Sequence, residues 1–288
     1  MPELPEVETV VRDLRPMLVG REIRHVRVGK QKLRRPWKSA WSRLLVAARV
    51  ESVRRRGKWI LITFAGGRTL LSHLGMTGQL TVADAKSASK DHTHLTFLLN
   101  DGRELRFRDV RRFGSADLFS TPETLDHFLT ARLGPEPFDV TAEEFRSVIR
   151  PSTRCLKALL LDQSRVAGVG NIYADEACFR SKLHPARRGN TLTDAECDRL
   201  RTAVVEVLTR AVEGRGSTIR DYVGGSGLMG TYQGEFCVYG RTGEPCPNCC
   251  SAIEMVRLAG RSSHYCPKCQ QSGSGRRGLR PRGGKSMK

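Results

Sequence analysis

The 288-residue chain has no long apolar run. Stretches such as Leu44–Ala48 and Trp59–Ile62 are typical of its apolar segments, far short of the ~20 residues that a membrane-spanning helix needs. The opening, Met1-Pro2-Glu3-Leu4-Pro5-Glu6, lacks the cationic segment and apolar core of a secretory signal. The expectation is a cytoplasmic protein with no membrane partner. Acids are scarce as well, with 30 Asp and Glu against 49 Lys and Arg, for a net charge of +19. Aromatic residues reach only 6%, yet an apolar content of 39% is enough for a core. The length suits two domains of roughly 150 residues each.

The cationic surplus is uneven. The last eighteen residues carry +6 with no acid, and between Arg24 and Lys58 thirteen Lys and Arg meet a single acid, Glu51. A surface built only for solubility would intersperse both signs. A one-sided surplus selects polyanionic partners, and nucleic acid is the reading that follows.

Nine cysteines cannot all pair, and without an export signal a disulfide framework is not expected. Four of them are ordered: Cys246-Pro-Asn-Cys249 and Cys266-Pro-Lys-Cys269 form C-x2-C, sixteen residues, C-x2-C. Two such knuckles bring four thiolates to one tetrahedral Zn²⁺, a closed structural site with no open position for chemistry. Cys250 breaks the spacing. Cys155, Cys178, Cys197 and Cys237 read as small buried apolar residues.

Periodicity divides the chain. Residues 5–18 predict a helix, with Pro5 at its first position, one apolar face through Val7, Val10, Val11, Leu14 and Leu18, and Gly20 beyond its end. The period then becomes two, over short segments near 22–28, 58–64, 69–74, 93–100, 104–110 and 115–120, with turns at Gly66-Gly67 and Asn100-Asp101-Gly102. That pattern is a β-sandwich or barrel. Gly134-Pro-Glu-Pro137 is a stiff break, after which helices are expected over roughly 141–150, 154–163, 170–182 and 193–213. The last of these opens on Thr193-x-x-Glu196, a capping box. The expected organisation is α+β and multidomain: a β-sandwich with a leading helix (1–134), a helical unit (135–233), a zinc hairpin (234–271) and a disordered basic tail (272–288).

The N-terminus is where chemistry is suggested. Aminopeptidases remove Met1 before a small residue such as Pro2, leaving a secondary amine whose pKa of about 8 keeps a neutral fraction at pH 7. Such an amine attacks a carbon at the aldehyde oxidation level and forms an iminium, the logic of a Schiff-base lysine. Glu3 adjoins it and Glu6 lies one turn on. Taken alone, the two carboxyls serve equally as charge complements to a helix N-terminus.

The decapeptide Met1-Pro-Glu-Leu-Pro-Glu-Val-Glu-Thr-Val10 resembles the N-terminal signature of the bacterial formamidopyrimidine-DNA glycosylases. Further blocks resemble the same family in the same order: Arg56-Gly-Lys58, Ser72-His-Leu-Gly-Met-Thr-Gly78, Asp109-Val-Arg-Arg-Phe-Gly114, Leu133-Gly-Pro-Glu-Pro137, Gly168-Val-Gly-Asn-Ile-Tyr-Ala174, Val238-Tyr-Gly-Arg241 and Gly260-Arg-Ser-Ser-His-Tyr-Cys-Pro267. They span residues 1–270. Val110 stands where the family often has Pro.

The resemblance implies a helix–two-turn–helix in the helical unit and a bifunctional enzyme acting, as a monomer, on double-stranded DNA that carries oxidised purines or abasic sites. Pro2 would attack the deoxyribose C1′, Glu3 would shuttle the proton that opens the sugar, and Glu6 would support it. Lys58 would donate to phosphate or base, where the local sequence alone reads as one more cation after Arg54-Arg55-Arg56. Met76, Arg111 and Phe113 would fill the void left by the extruded base. Without the resemblance, Phe113 reads as a core aromatic and Arg111 as a surface cation; two apart in an extended loop, they would point the same way. Asn171, at a helix start, would take phosphate, and Arg261 on the hairpin would hold the phosphates flanking the lesion. His92, Arg154 and Lys157 are further phosphate-contact candidates. The loop near Thr218–Tyr232 would grip the extruded purine, with no residue assigned. Two rivals remain: the sister glycosylase for oxidised pyrimidines, and a non-catalytic zinc-ribbon DNA-binding protein, which leaves Pro2-Glu3 unexplained.

Overall fold

The computed structural model describes residues 1–31, 33, 35–217 and 230–270. The tail and most of the proposed purine-gripping loop (218–229) lie outside the described residues. The chain opens with helix α1 (Leu4–Leu18), with Pro5 in its first turn, and ends one residue before Val19 and the left-handed Gly20. The expected apolar face is fully buried, and the helix as a whole meets two cores. Leu4 packs among the later helices, whereas Val7, Val10, Val11, Leu14 and Leu18 pack on the strands.

Eight strands follow: β1 (Ile23–Val28), β2 (Val50–Arg56), β3 (Trp59–Phe64), β4 (Thr69–His73), β5 (Gly78–Asp84), β6 (Thr93–Leu99), β7 (Arg103–Asp109) and β8 (Ser115–Phe119). They form two antiparallel four-stranded sheets, ordered β1-β6-β7-β5 and β2-β3-β4-β8. One core lies between them and takes Val26 of β1, Val53 of β2, Ile60 and Ile62 of β3, Phe97 of β6 and Phe107 of β7. The sandwich is as expected. On β3, Leu61 points the other way, into a smaller cluster with Leu71, Leu125 and Leu129. That face is covered by helix α3 (Pro122–Thr130), which explains why β3 reads as an unbroken apolar run.

Two strands and two helices escaped the sequence reading. Both missed strands, β2 and β5, are sheet edges, as are β1 and β8; in β2 the run Arg54-Arg55-Arg56 conceals the buried Val50 and Val53. The helices are α2 (Ser39–Leu45), a short segment with only Leu45 buried, and α3.

The helical portion contains α4 (Ala142–Ile149), α5 (Leu156–Leu161), α6 (Asn171–Arg180) and α7 (Asp194–Glu213), each within the expected range. The Thr193/Glu196 capping box is formed, and a second, Thr141/Glu144, opens α4. Last comes a hairpin of β9 (Glu254–Leu258) and β10 (Arg261–Tyr265), packed through Val238, Cys246, Ile253 and Cys266 on Phe179 of α6. Among the described residues, no helix is long and apolar enough to cross a membrane.

Candidate active site

A cleft of about 740 Å³ opens between the strand ends, the N-terminus and the loop before α6; its lining includes Pro2, Glu3, Lys58, Met76, Arg111 and Arg261. Eight of the expected site residues meet here, from six separate parts of the sequence: those six, with Glu6 and Asn171.

The floor is the N-terminus. Leu4 N donates to the Gly168 carbonyl oxygen (3.0 Å), and Ile172 N donates to Glu3 Oε1 (2.9 Å), seating the carboxyl on the N-terminus of α6. The glycines of Gly168-Val-Gly170 make this contact possible. A Cβ on Gly168, at φ +90°, would lie 2.5 Å from Leu4 Cδ1. One on Gly170 would lie 2.6 Å from both Glu3 carboxyl oxygens and press on Cδ. The two glycines thus give room to Leu4 and to the Glu3 carboxyl.

Glu6 is a hub. Its Oε2 accepts from Glu3 N (2.8 Å), and its Oε1 accepts from Tyr173 Oη (2.5 Å) and Ser217 N (2.8 Å). This fixes the backbone beside Pro2 to α6 and to the segment after α7. Tyr173 and Ser217 carried no signal in the sequence, since their partner is 167 and 211 residues away.

Burial dominates the electrostatics. It raises the Glu3 carboxyl above its ordinary value; the Lys58 ammonium pulls the other way without cancelling it, and Glu6 adds to the rise. Burial likewise lowers the Lys58 ammonium, opposed by Glu3 and Glu6 and reinforced by Arg261. Glu3 Oε2 and Asn171 Oδ1 are buried with no hydrogen-bond partner among the described residues. A carboxyl raised in this way, with one oxygen uncommitted, is suited to hold and release a proton.

At the rim, Met76 and Phe113 are exposed by 38% and 46%. The Arg111 guanidinium lies 4.7 Å over the Phe113 ring. The two share a side, but not through an extended loop: Arg112 between them is left-handed, at φ +56°. Buried Asp109 holds this loop. Its Oδ1 accepts from Thr77 Oγ1 (2.6 Å) and Arg111 N (3.3 Å), and its Oδ2 from Gly114 N (2.7 Å). One carboxylate thus joins the Met76 loop to the Arg111–Phe113 loop.

The other candidates fall elsewhere. Lys157 does not meet phosphate: it is fully buried, its Nζ donating to Asp175 Oδ1 (2.6 Å) and the Asn171 carbonyl oxygen (2.7 Å). Burial and an internal counter-ion leave no group for DNA. Arg154 is exposed and paired with Asp162 at 2.7 Å, and His92 is exposed at φ +65°; neither lines the cleft.

The sulfurs of Cys246, Cys249, Cys266 and Cys269 all lie within 4.8 Å of one another. Sγ–Sγ distances of 3.9 Å (Cys246–Cys269) and 3.4 Å (Cys249–Cys266) fit a tetrahedral ion, since Zn–S bonds of ~2.3 Å separate the sulfurs by about 3.8 Å. Asn248 N and Cys269 N point at Cys246 Sγ and Cys266 Sγ, each at 3.4 Å, as donors to thiolate. Cys250 is exposed and outside the cluster. Cys178 and Cys197 are buried as expected, whereas Cys155 and Cys237 are only half-buried.

Comparison with known proteins agrees with this geometry. Residues 1–116 match the formamidopyrimidine-DNA glycosylase N-terminal domain, 133–223 its H2TH domain, and 243–271 the zinc finger found in FPG and IleRS. The four cysteines are therefore the ligands of one structural Zn²⁺. The formamidopyrimidine-DNA glycosylase of Desulforamulus reducens is 43% identical over 276 residues, covering 94% of this chain and all of the relative. That of Listeria innocua is 42% identical over 275 residues, with the same coverage. Among solved structures, a mutant Lactococcus lactis FPG in complex with Fapy-dG DNA superposes with a TM-score of 0.87 at 37% identity, covering 94% of this chain and 100% of that one. A Lactococcus lactis Fpg bound to abasic-site DNA gives 0.85 at 36% identity, covering 93% and 99%. This chain belongs to the formamidopyrimidine-DNA glycosylase family.

Proposed function

We infer that the chain is a base-excision-repair DNA glycosylase and abasic-site lyase that removes oxidised purines from duplex DNA. The observation that carries this reading is the buried Pro2–Glu3 pair on the floor of a cleft that Lys58 shares and that Arg111 and Arg261 line. The net charge of +19 suits a polyanionic partner.

With Met1 removed, the Pro2 nitrogen attacks C1′, the damaged base departs with the glycosidic electron pair, and the proton of the resulting ammonium passes to the departing base, which restores the nitrogen lone pair. The proton held on Glu3 passes to the ring oxygen, the C1′–O4′ bond opens, and the nitrogen lone pair forms the iminium. The iminium acidifies the C2′ proton; its loss expels the 3′ phosphate, and a second elimination expels the 5′ phosphate. Lys58, beside Glu3, donates to phosphate or base. Met76, Arg111 and Phe113 occupy the void left in the duplex, which offsets part of the few kcal/mol of unstacking. Arg261 and Asn171 hold flanking phosphates. Zn²⁺ holds the hairpin's fold and takes no part in the chemistry.

One chain brings all these groups to one cleft, so we take the active form to be a monomer with units at 1–134, 135–233 and 234–271. Its substrate puts its work on nucleoid DNA in the cytoplasm. The test is borohydride trapping on a duplex with 8-oxoguanine opposite cytosine. An adduct is expected, with the DNA on the peptide that begins at Pro2; recovery on Lys58 would sink the assignment.

A further inference from the structure

Helix α6 does two things at once. Its first residue, Asn171, lines the cleft, and one turn later two adjacent buried acids reach out to other parts of the chain. Asp175 Oδ1 accepts from Lys157 Nζ of α5 (2.6 Å); its Oδ2 accepts from His264 N (2.9 Å) and lies 3.0 Å from His264 Nδ1, on β10. Glu176 accepts from three successive amides, Cys237 N (2.9 Å), Val238 N (3.0 Å) and Tyr239 N (2.8 Å), on the segment leading into the hairpin.

What the hairpin carries makes this grip significant. Arg261 opens β10, three residues before His264, and its exposed guanidinium lines the cleft with no hydrogen-bond or ion-pair partner among the described residues. A two-stranded ribbon does not set its own orientation. The polar ties from β10 itself to the rest of the molecule converge on Asp175. The His264 ring also stands edge-on to Tyr239 at 5.1 Å, and Tyr239 lines the cleft too. A buried ion pair is weak evidence for stability, because apolar replacements often match it. Fixing geometry is the role that remains.

We propose that Asp175 is a positioning residue for Arg261: through His264 it sets where the hairpin's free cation stands relative to the α6 N-terminus, so that one duplex meets both. The proposal rests on the reading above in one respect, that Arg261 meets a DNA phosphate.

The test measures equilibrium binding of the zinc-loaded full chain to a duplex with an uncleavable tetrahydrofuran abasic analogue, across salt concentrations. Arg261→Ala removes one phosphate contact and lowers the salt slope by about 1, with affinity falling roughly tenfold. Asp175→Asn removes no cation, yet it is expected to lower the slope by the same amount. The double variant should be no weaker than Arg261→Ala alone, within about twofold. A variant that merely destabilised the fold would reduce the active fraction and leave the slope intact. Because Asp175→Asn strands buried Lys157, His264→Phe serves as the second variant: it keeps a ring against Tyr239 and breaks only the ring–carboxylate bond. It should lose affinity in the wild-type background and not in Arg261→Ala, with one zinc retained per chain. A wild-type slope in both Asp175→Asn and His264→Phe, or losses that multiply with Arg261→Ala, would overturn the proposal. Failure of the wild type to trap with borohydride would refute the lyase reading and leave this one standing.

Discussion

Replacing Gly170 with alanine should impair the chemistry without impairing DNA binding. The backbone tolerates the change, since Gly170 has φ −130°, so the consequence lies in the added methyl. It would sit 2.6 Å from both Glu3 carboxyl oxygens, where ordinary contact begins at 3.4 Å. The carboxyl carbon would be nearer still, at 2.3 Å, so the carboxyl must retreat by roughly 1.1 Å, which takes the 2.9 Å bond from Ile172 N to about 4.0 Å, outside hydrogen-bonding range. Overpacking of this kind costs ~1–3 kcal/mol of stability. A misplacement near 1 Å of a reacting group costs on the order of 100-fold in rate. Single-turnover excision of 8-oxoguanine opposite cytosine should fall by about that factor, while binding to the tetrahydrofuran duplex stays within about threefold. Gly234→Ala is the control, because nothing lies within 4 Å of its added methyl and its φ is not positive; rate and Tm should be unchanged. Excision by Gly170→Ala at the wild-type rate would refute the idea that the seat of Glu3 on α6 sets its reactivity.

Glu3→Gln should abolish excision and yet unfold no earlier than the wild type at pH 7. The folded state raises the Glu3 carboxyl above 4.5, so the native chain binds more protons than the unfolded one above that pH, and stability is lost as pH rises. The difference in Tm should shrink toward pH 4, where both forms are neutral; an unchanged difference there would contradict the sign. Removing zinc should disorder the hairpin and release Arg261, because so small an element buries little core of its own. Protease nicking of residues 234–270 should appear together with loss of DNA binding, and full cleavage of a pre-formed abasic site by zinc-free protein would contradict this. Arg111→Ala should lose about 5- to 150-fold of its preference for cytosine over adenine opposite 8-oxoguanine, since such a contact is worth ~1–3 kcal/mol. Equal activity against both opposing bases, unchanged from the wild type, would return Arg111 to a surface cation.

The sequence by itself determined whatever is written in local spacing. The 3.6-residue face of α1, the places of six of the eight sandwich strands, the Thr193/Glu196 cap and the C-x2-C knuckles each need only near neighbours, and each is found as read. Strand β2 is not legible, because its three successive arginines, Arg54-Arg55-Arg56, mask the apolar positions Val50 and Val53 that it buries. Ordered motifs along the chain also identified the residues that gather at the cleft.

Their relationships were decided only by the tertiary structure. Nothing in the local sequence of Gly168-Val-Gly170 shows that Glu3, 167 residues away from Gly170, lies against it. Lys157 reads in the sequence as a phosphate-contact candidate, and only the fold shows that α6 brings Asp175 to it and closes both off from water. Tyr173 and Ser217 carry no local mark, because a hydrogen bond across 167 or 211 residues leaves no period in the sequence. Charge and spacing survive in an unfolded chain and can be read there; burial, and the proton affinities it shifts at Glu3 and Lys58, exist only after the chain has closed around them.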